Sequence, residues 1–227
     1  MIKVVFFDLD NTLIDFMRMK KLSCDAALDA MISFGLNMSK PKARKLLFEL
    51  YGEQGIEHQH IFQDFLKKYC GTVDYRMLSA AITSYRRVQL GFLEPYPSVR
   101  QTLVKLKEMN LRLGIVSDAP RLKAWMRLTE MNLSEFFEEV ITLDDSGALK
   151  PDPKPFEMAL KKFNIASNEV IFVGDNPERD IKGANIAGFY TALAEYGQTI
   201  KSKNNEPNFV LKKPSDLINV IEKINKH

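Results

Sequence analysis

The stretch MIKVVFFDLDNTL, residues 1–13, decides how the rest of the chain is read. Residues 2–7, IKVVFF, are a short and nearly continuous apolar run that stops at DLDNT, residues 8–12. A strand buried on both faces reads this way, because neither side of its pleat meets water. Asp8 and Asp10 are two apart, so if the backbone stays extended through Leu9 both carboxylates point to one side and Leu9 points inward.

Working outward, residues 16 to about 93 change character. Ser23, Ser39 and Asp74 each precede a run of helical period and are predicted N-caps. The helices would cover 24–36, 40–51 and 75–88, and a fourth, 58–70, would end at Gly71. Four helices with no strand between them make an all-helical insertion over 16–93. From Tyr96 the rhythm alternates, with predicted strands at 111–117, 138–143, 169–174, 189–194 and 208–211. Helices are expected at 99–110, 121–132, 156–164, 180–188 and 216–224. Such alternation predicts an α/β fold: a three-layer, Rossmann-like core with a central parallel sheet, formed by 1–15 and 94–227.

In parallel sheets of this kind reactive groups gather beyond the carboxyl ends of the strands. Asp8, Asp10 and Thr12 follow the first strand, and Ser117-Asp118 follow the second. A loop after the third leads to Lys150-Pro151-Asp152-Pro153, and Gly174-Asp175 follow the fourth, with Asp180 in the first turn of the next helix. Four strand ends thus supply an acid pair, a hydroxyl, a lysine and a second acid pair.

That set suits Mg²⁺-dependent phosphoryl transfer. Mg²⁺ takes about six oxygen ligands and keeps several waters, so a few carboxylates from different strands fit it. Asp8 and Asp175 are expected as side-chain ligands, and the Asp10 backbone carbonyl as a third. Converging carboxylates repel one another without a cation, so Lys150 and the metal are the countercharge that lets an anionic phosphate bind. Ser117, with backbone N–H groups at the strand ends, would hold phosphate oxygens. Asp8 is then the nucleophile forming an aspartyl-phosphate, and Asp10 protonates the leaving group and later deprotonates water.

FFDLDNTL, IVSD, LKPDP and VGDNPERD, in this chain order, resemble the four motifs of the haloacid dehalogenase-like hydrolase superfamily. The resemblance spans residues 3 to about 190 and implies a nucleophile at Asp8, an acid/base at Asp10, a phosphate-binding hydroxyl at Ser117 and a charge-neutralising Lys150. It implies Asp175 as metal ligand, and Asp180 as ligand or support behind it. The insertion 16–93 corresponds to the cap of the helical-cap subfamily, and the nucleophile strand should be central. SDAPRLKAWMRL followed by FFEEVITLDDSGALKPDPKPF is similar to an archaeal branch of glyceraldehyde 3-phosphate phosphatases, so the substrate implied is a small phosphorylated metabolite of that kind. The second motif departs from the common Ser/Thr-Asn or Ser/Thr-Asp-Gly by reading Ser117-Asp118-Ala119-Pro120. Phosphate contact at Asp118 is expected mainly through its backbone.

Composition narrows the alternatives. The chain has 227 residues, 45% apolar and 27% charged, which suits one large domain or a domain with an insertion and excludes a disordered chain. Its net charge of +3 resides in a basic tail from residue 201, so no basic face for nucleic acid is expected. The opening apolar run ends too early for a signal peptide, and no run approaches the roughly 20 apolar residues of a membrane helix. A cytoplasmic monomer or homodimer is the expectation.

Plainer readings stand beside these. An acid after a strand is commonly an N-cap, Lys154 competes with Lys150, and Asp180 could merely complement a helix N-terminus. Cys24 and Cys70 read as buried free thiols, and Trp125, spaced helically from Leu122 and Leu128, as core. His58 and His60 do not share a helix face, and His227 and the segment KSKNNE read as solvated. Arg18, Lys20, Lys21, Arg86 and Arg87 read as a solvated helix face. A phosphomutase on the same scaffold is the alternative enzyme. A dehalogenase would not need Asp10, and a phosphoacceptor receiver would carry its acceptor after a later strand and no helical insertion.

Overall fold

The computed structural model describes residues 1–202 and 204–226; His227 and Lys203, within KSKNNE, lie outside the described residues. The chain divides into two compact units, one of Met1–Asp15 with the chain from Glu94 onward, the other of Phe16–Leu93.

The first unit is built on six strands: β1 (Val4–Phe7), β2 (Arg112–Val116), β3 (Glu139–Ile141), β4 (Val170–Gly174), β5 (Tyr190–Ala194) and β6 (Phe209–Leu211). All pair in parallel, in the order β3-β2-β1-β4-β5-β6. The strand carrying the DLDNT loop is therefore central, flanked by β2 (Val4 opposite Arg112) and β4 (Val4 opposite Val170). Successive side chains of β1 enter opposite faces, and both faces are dry, which is why its sequence reads as an unbroken apolar run. Phe6 packs with Phe163 at 4.8 Å between ring centroids, whereas Phe7 meets Phe137 at 6.2 Å.

The segments between the strands supply helices α5 (Val99–Glu108), α6 (Arg121–Glu130), α7 (Leu143–Ser146), α8 (Pro153–Phe163) and α9 (Lys182–Ile186), and α10 (Asp216–Asn225) follows the last strand. Two short backbone stretches at the ends of the insertion lie side by side: Ile14 pairs antiparallel with Pro95, and Tyr96 N–H donates to Leu13 O at 2.9 Å.

The second unit comprises α1 (Phe16–Ser33), α2 (Lys40–Gln54), α3 (Ile61–Cys70) and α4 (Tyr75–Gly91). Its core is made by Leu28 and Met31, Leu47 and Leu50, Phe62 and Phe65, with Leu78 and Ala81 from α4. Asp74 caps α4, its carboxylate accepting from Arg76 N–H and Met77 N–H, and Gly71 ends α3 in the left-handed region at φ 79°. Ser39 stands at the start of α2 but makes no side-chain cap bond.

Several expectations are corrected here. Ser23 is no cap: α1 begins at Phe16, and Ser23 is buried in mid-helix. The apolar period runs back through Phe16 and Met19, so the helix continues N-terminal to the serine. Cys24 is buried but Cys70 is exposed, because it falls on the last residue of α3, outside the stripe formed by Ile61, Phe62, Phe65 and Leu66. Lys20 is buried, its ammonium 4.3 Å from the centre of the Tyr51 ring, whereas Arg18, Lys21, Arg86 and Arg87 are exposed. Among the described residues no helix is long and apolar enough to cross a membrane.

Candidate active site

The DLDNT loop is built by the end of β1. Asp8 N–H donates to Val173 O at 2.8 Å, carrying the ladder one residue past the strand, while Leu9 is fully buried beneath it. Asn11 turns the chain at φ 60°, a conformation asparagine tolerates better than most residues, and its N–H donates to Ile14 O at 2.7 Å. The loop is clamped from the end of β5. A Cβ on Gly197 would lie 1.6 Å from Asn11 O, so only a hydrogen fits there, and Tyr196 Oη donates to Thr12 O at 2.9 Å. Burial, aided by Tyr96 and Asp175, pushes the Tyr196 phenol up, so it remains a donor.

Lys150 is the hub. Its buried ammonium lies 2.7 Å from Asp8 Oδ1, 2.7 Å from Asp180 Oδ1 and 3.0 Å from Val116 O. Burial works to lower its pKa, but Asp180, Asp8 and Asp118 outweigh that, and the group stays charged. Lys154, by contrast, is exposed in the first turn of α8.

Asp180 stands in a wide helical turn, Pro177–Ile181, that precedes α9. Ile181 N–H reaches five residues back to Asn176 O at 3.3 Å, a geometry that recurs at functional sites. Asn176 N–H donates to Asp180 Oδ2 at 3.0 Å, and Asn176 Oδ1 accepts from Glu178 N–H and Arg179 N–H. Asp180 Oδ2 is thus held by a hydrogen bond, while its buried Oδ1 is paired with Lys150 by charge without a hydrogen bond.

Ser117 follows β2, its N–H donating to Ile141 O at 2.9 Å and its Oγ accepting from Ala119 N–H at 3.2 Å. The Asp118 side chain ties loops together: Oδ1 accepts from Lys150 N–H at 2.9 Å and Oδ2 from Arg179 Nη1 at 3.0 Å. Its carboxylate is therefore committed to protein, which leaves the backbone as the part of Asp118 able to meet a phosphate.

Asp10 does not join the Lys150 cluster. Its Oδ2 accepts from Arg127 Nη1 at 2.6 Å, and the Arg127 side chain is only 7% exposed. The buried residues of α6 are Ala124, Arg127 and Leu128, with Met131 just beyond. Leu122 is 70% and Trp125 39% exposed, so the reading of Trp125 as core is corrected. The helix is turned so that an arginine, not the tryptophan, occupies the inward stripe. Sequence reasoning missed Arg127, Arg179, Asn176 and Tyr196. For Arg127 the signal was available: it lies on the 124–128–131 helical period, where a charge is stable only with a buried partner.

Carboxylate oxygens of Asp8, Asp175 and Asp180 all lie within 4.8 Å of one another, the one such acidic group able to hold a metal ion among the described residues. Asp175 Oδ1 is buried without a hydrogen-bond partner. Burial, together with Asp180 and Asp8, pushes the Asp175 carboxyl up to about 9. Burial also raises Asp8 to about 7, against the pull of Lys150. Three hard oxygen donors, one with an unfilled lone pair, and two acids short of positive charge fit a divalent cation such as Mg²⁺. His58, in the helical unit, bonds Asp64 at 2.8 Å through Nε2.

The sequence profile of a family described as haloacid dehalogenase-like hydrolase matches residues 5–194. A glyceraldehyde 3-phosphate phosphatase of Pyrococcus abyssi is 35% identical over 228 residues, covering 99% of this chain and 96% of that protein. One of Methanopyrus kandleri is 32% identical over 232 residues, covering the whole of both. Among solved structures, YfnB of Bacillus subtilis, described as a HAD-hydrolase bound to magnesium, superposes with a TM-score of 0.73 at 20% identity, covering 97% of this chain and 98% of that one.

Proposed function

The chain belongs to the haloacid dehalogenase-like hydrolase family and is a phosphatase, and on that footing we propose that it hydrolyses glyceraldehyde 3-phosphate, or a closely related small sugar phosphate, through an aspartyl-phosphate on Asp8. The observation that carries the mechanism is the buried ammonium of Lys150 between Asp8 and Asp180, with the orphaned Asp175 Oδ1 beside them. The substrate is carried by whole-length similarity to archaeal phosphatases of that name.

Asp8 and Asp175, with the Asp10 carbonyl, would hold Mg²⁺, and Asp180 stands behind them through Lys150 and Asn176. The bound ion would neutralise the acidic cluster and polarise the phosphoryl oxygens. Lys150 and Ser117 hold the phosphate. The Asp8 carboxylate attacks phosphorus in line as the bond to the sugar oxygen breaks, and Asp10 gives that oxygen its proton. The Asp10 carboxylate then takes a proton from water, whose oxygen bonds phosphorus and frees Asp8. The helical insertion 16–93 is assigned the role of the substrate-selecting cap.

The test is phosphate release from a panel of small phosphorylated metabolites, with Mg²⁺ and then with EDTA, for the wild type and Asp8→Asn. Glyceraldehyde 3-phosphate should lead the panel, and both EDTA and Asp8→Asn should abolish turnover. Equal rates with and without the metal would remove it from the mechanism, and an active Asp8→Asn would remove the nucleophile.

A further inference from the structure

Arg127 is placed where the fold ordinarily allows only apolar side chains. Ala124, Leu128 and Met131 surround it on the inward stripe of α6 and are all buried. Burying a guanidinium costs several kcal/mol of solvation, and a hydrophobic side chain of similar volume is commonly neutral or better for stability. A buried charge of this kind is therefore weak evidence for stability, and its partner indicates what else it does. Among its partners is Asp10 Oδ2, 2.6 Å from Arg127 Nη1 and 117 residues away in sequence.

The contact fixes more than distance. A guanidinium N–H is a donor only, so the carboxyl oxygen it faces acts as acceptor, and the adjacent positive charge disfavours a proton on that oxygen relative to the other. Arg127 thereby distinguishes the two oxygens of Asp10. With Oδ2 held toward α6, the rotation of the carboxyl group is set, and Oδ1 is the oxygen on which the transferable proton is favoured. The same helix follows the Ser117-Asp118 loop, so one rigid element links the phosphate-binding end of β2 to the orientation of Asp10.

We propose that Arg127 is a positioning residue for proton transfer: it holds Asp10 in the one orientation that delivers a proton to the departing alkoxide. This rests on the reading of Asp10 as the acid/base. During the first half-reaction the Asp10 Oδ1–H bond breaks as the sugar O–H bond forms and the P–O bond opens. In the second, Oδ1 regains a proton from the attacking water. Arg127 keeps its own protons throughout and touches neither phosphate nor sugar.

The experiment compares two substrates whose leaving groups differ in their need for a proton: glyceraldehyde 3-phosphate, which departs as an alkoxide, and p-nitrophenyl phosphate, which departs as a stable phenolate. Wild type, Asp10→Ala, Arg127→Met and Arg127→Lys are measured with Mg²⁺, and folding is followed by thermal melting. A misplaced general acid forfeits on the order of 100-fold in kcat on the alkyl substrate, with KM held within about threefold and the aryl substrate losing less than about fivefold. Arg127→Met should show that pattern, Asp10→Ala should show it more strongly, and Arg127→Lys, which keeps charge and fold, should recover part of the alkyl activity.

If Asp10→Ala separates the substrates but Arg127→Met and Arg127→Lys slow both alike, or neither, Arg127 is structural only and the inference falls alone. If Asp10→Ala fails to separate them, the acid/base assignment falls, and the inference with it.

Discussion

Gly174 and Asp180 approach each other so closely that a methyl group on the glycine would lie 2.5 Å from Asp180 Cβ. Gly174 closes β4 one residue before Asp175, and Asp180 holds Lys150 from the far side. The missing side chain is thus what lets the turn after β4 fold back far enough for its acid to reach the lysine.

Gly174→Ala is expected to push Asp180 away from Lys150. The neighbour is a Cβ and not a flexible chain end, so relief requires the whole turn to move. Overpacking of this kind costs about 1–3 kcal/mol, and the acidic cluster would open with it. Thermal melting and Mg²⁺ titration calorimetry on the variant check both effects. Unchanged melting and affinity would mean that the turn relaxes without consequence.

Lys150→Met leaves Asp8 and Asp180 buried without their cation. Breaking a buried pair from one side costs about 3–5 kcal/mol, so the variant should melt far below the wild type near pH 8. Lys150 lowers the Asp8 carboxyl, which stands at about 7 with the lysine present. In the variant Asp8 therefore takes up its proton at a higher pH, and part of the loss should return as pH falls through neutrality. Melting curves across pH test this, and a loss that does not vary with pH would contradict it.

Stability of the metal-free protein should fall as pH rises through neutrality. Asp8 and Asp175 titrate from a reference of 3.8 when unfolded, but burial raises them to about 7 and about 9 in the fold. Between those limits the folded state holds more protons than the unfolded chain, so each rise in pH favours unfolding. The penalty is absent near pH 4 and complete above pH 9. A divalent ion competes with those protons, so the rise in melting temperature on adding MgCl₂ should grow from pH 6 to pH 9. A rise that shrinks over that range would refute the assignment of these acids to the metal.

Asp118→Asn and Asp118→Ala should separate shape from charge. Asparagine keeps an acceptor for Lys150 N–H, so it loses chiefly the half-exposed pair with Arg179, about 1 kcal/mol or less. Alanine also strands the Lys150 N–H, adding about 1–3 kcal/mol. Denaturant unfolding of both variants measures the difference. Equal losses would show that the charge and not the loop tie dominates.

The sheet and the polar residues at its strand ends were legible because they follow from local rules. A doubly buried strand leaves an unbroken apolar run, and the first polar residues after it must lie at the strand end. That logic placed Asp8, Ser117 and Asp175 directly after their strands, and the structure brings Asp8 and Asp175 together with Asp180 beside Lys150. What it could not supply was rotation about an axis. Leu122, Trp125 and Leu128 share a helical spacing, and so do Ala124, Arg127, Leu128 and Met131; only packing decides which set faces in. Small Ala124 and the pairing of Arg127 with Asp10 win, and Trp125 is left at the surface. Ser23 failed for a related reason, since a serine inside a helix and a serine capping one look alike when the preceding turn is also amphipathic. Arg179 and Tyr196 act through contacts spanning 61 and 184 residues, which no local pattern announces.

The backbone that departs at Ile14 and the backbone that comes back at Pro95 are neighbours, stitched to each other before either reaches a helix. A loop whose ends already meet imposes little on the framework that bears it, since closing it adds no strain to the strands. The helical unit Phe16–Leu93 between them is therefore a graft on a finished stem. Evolution, or an engineer, could exchange that graft for another while the strands that bear it stay intact.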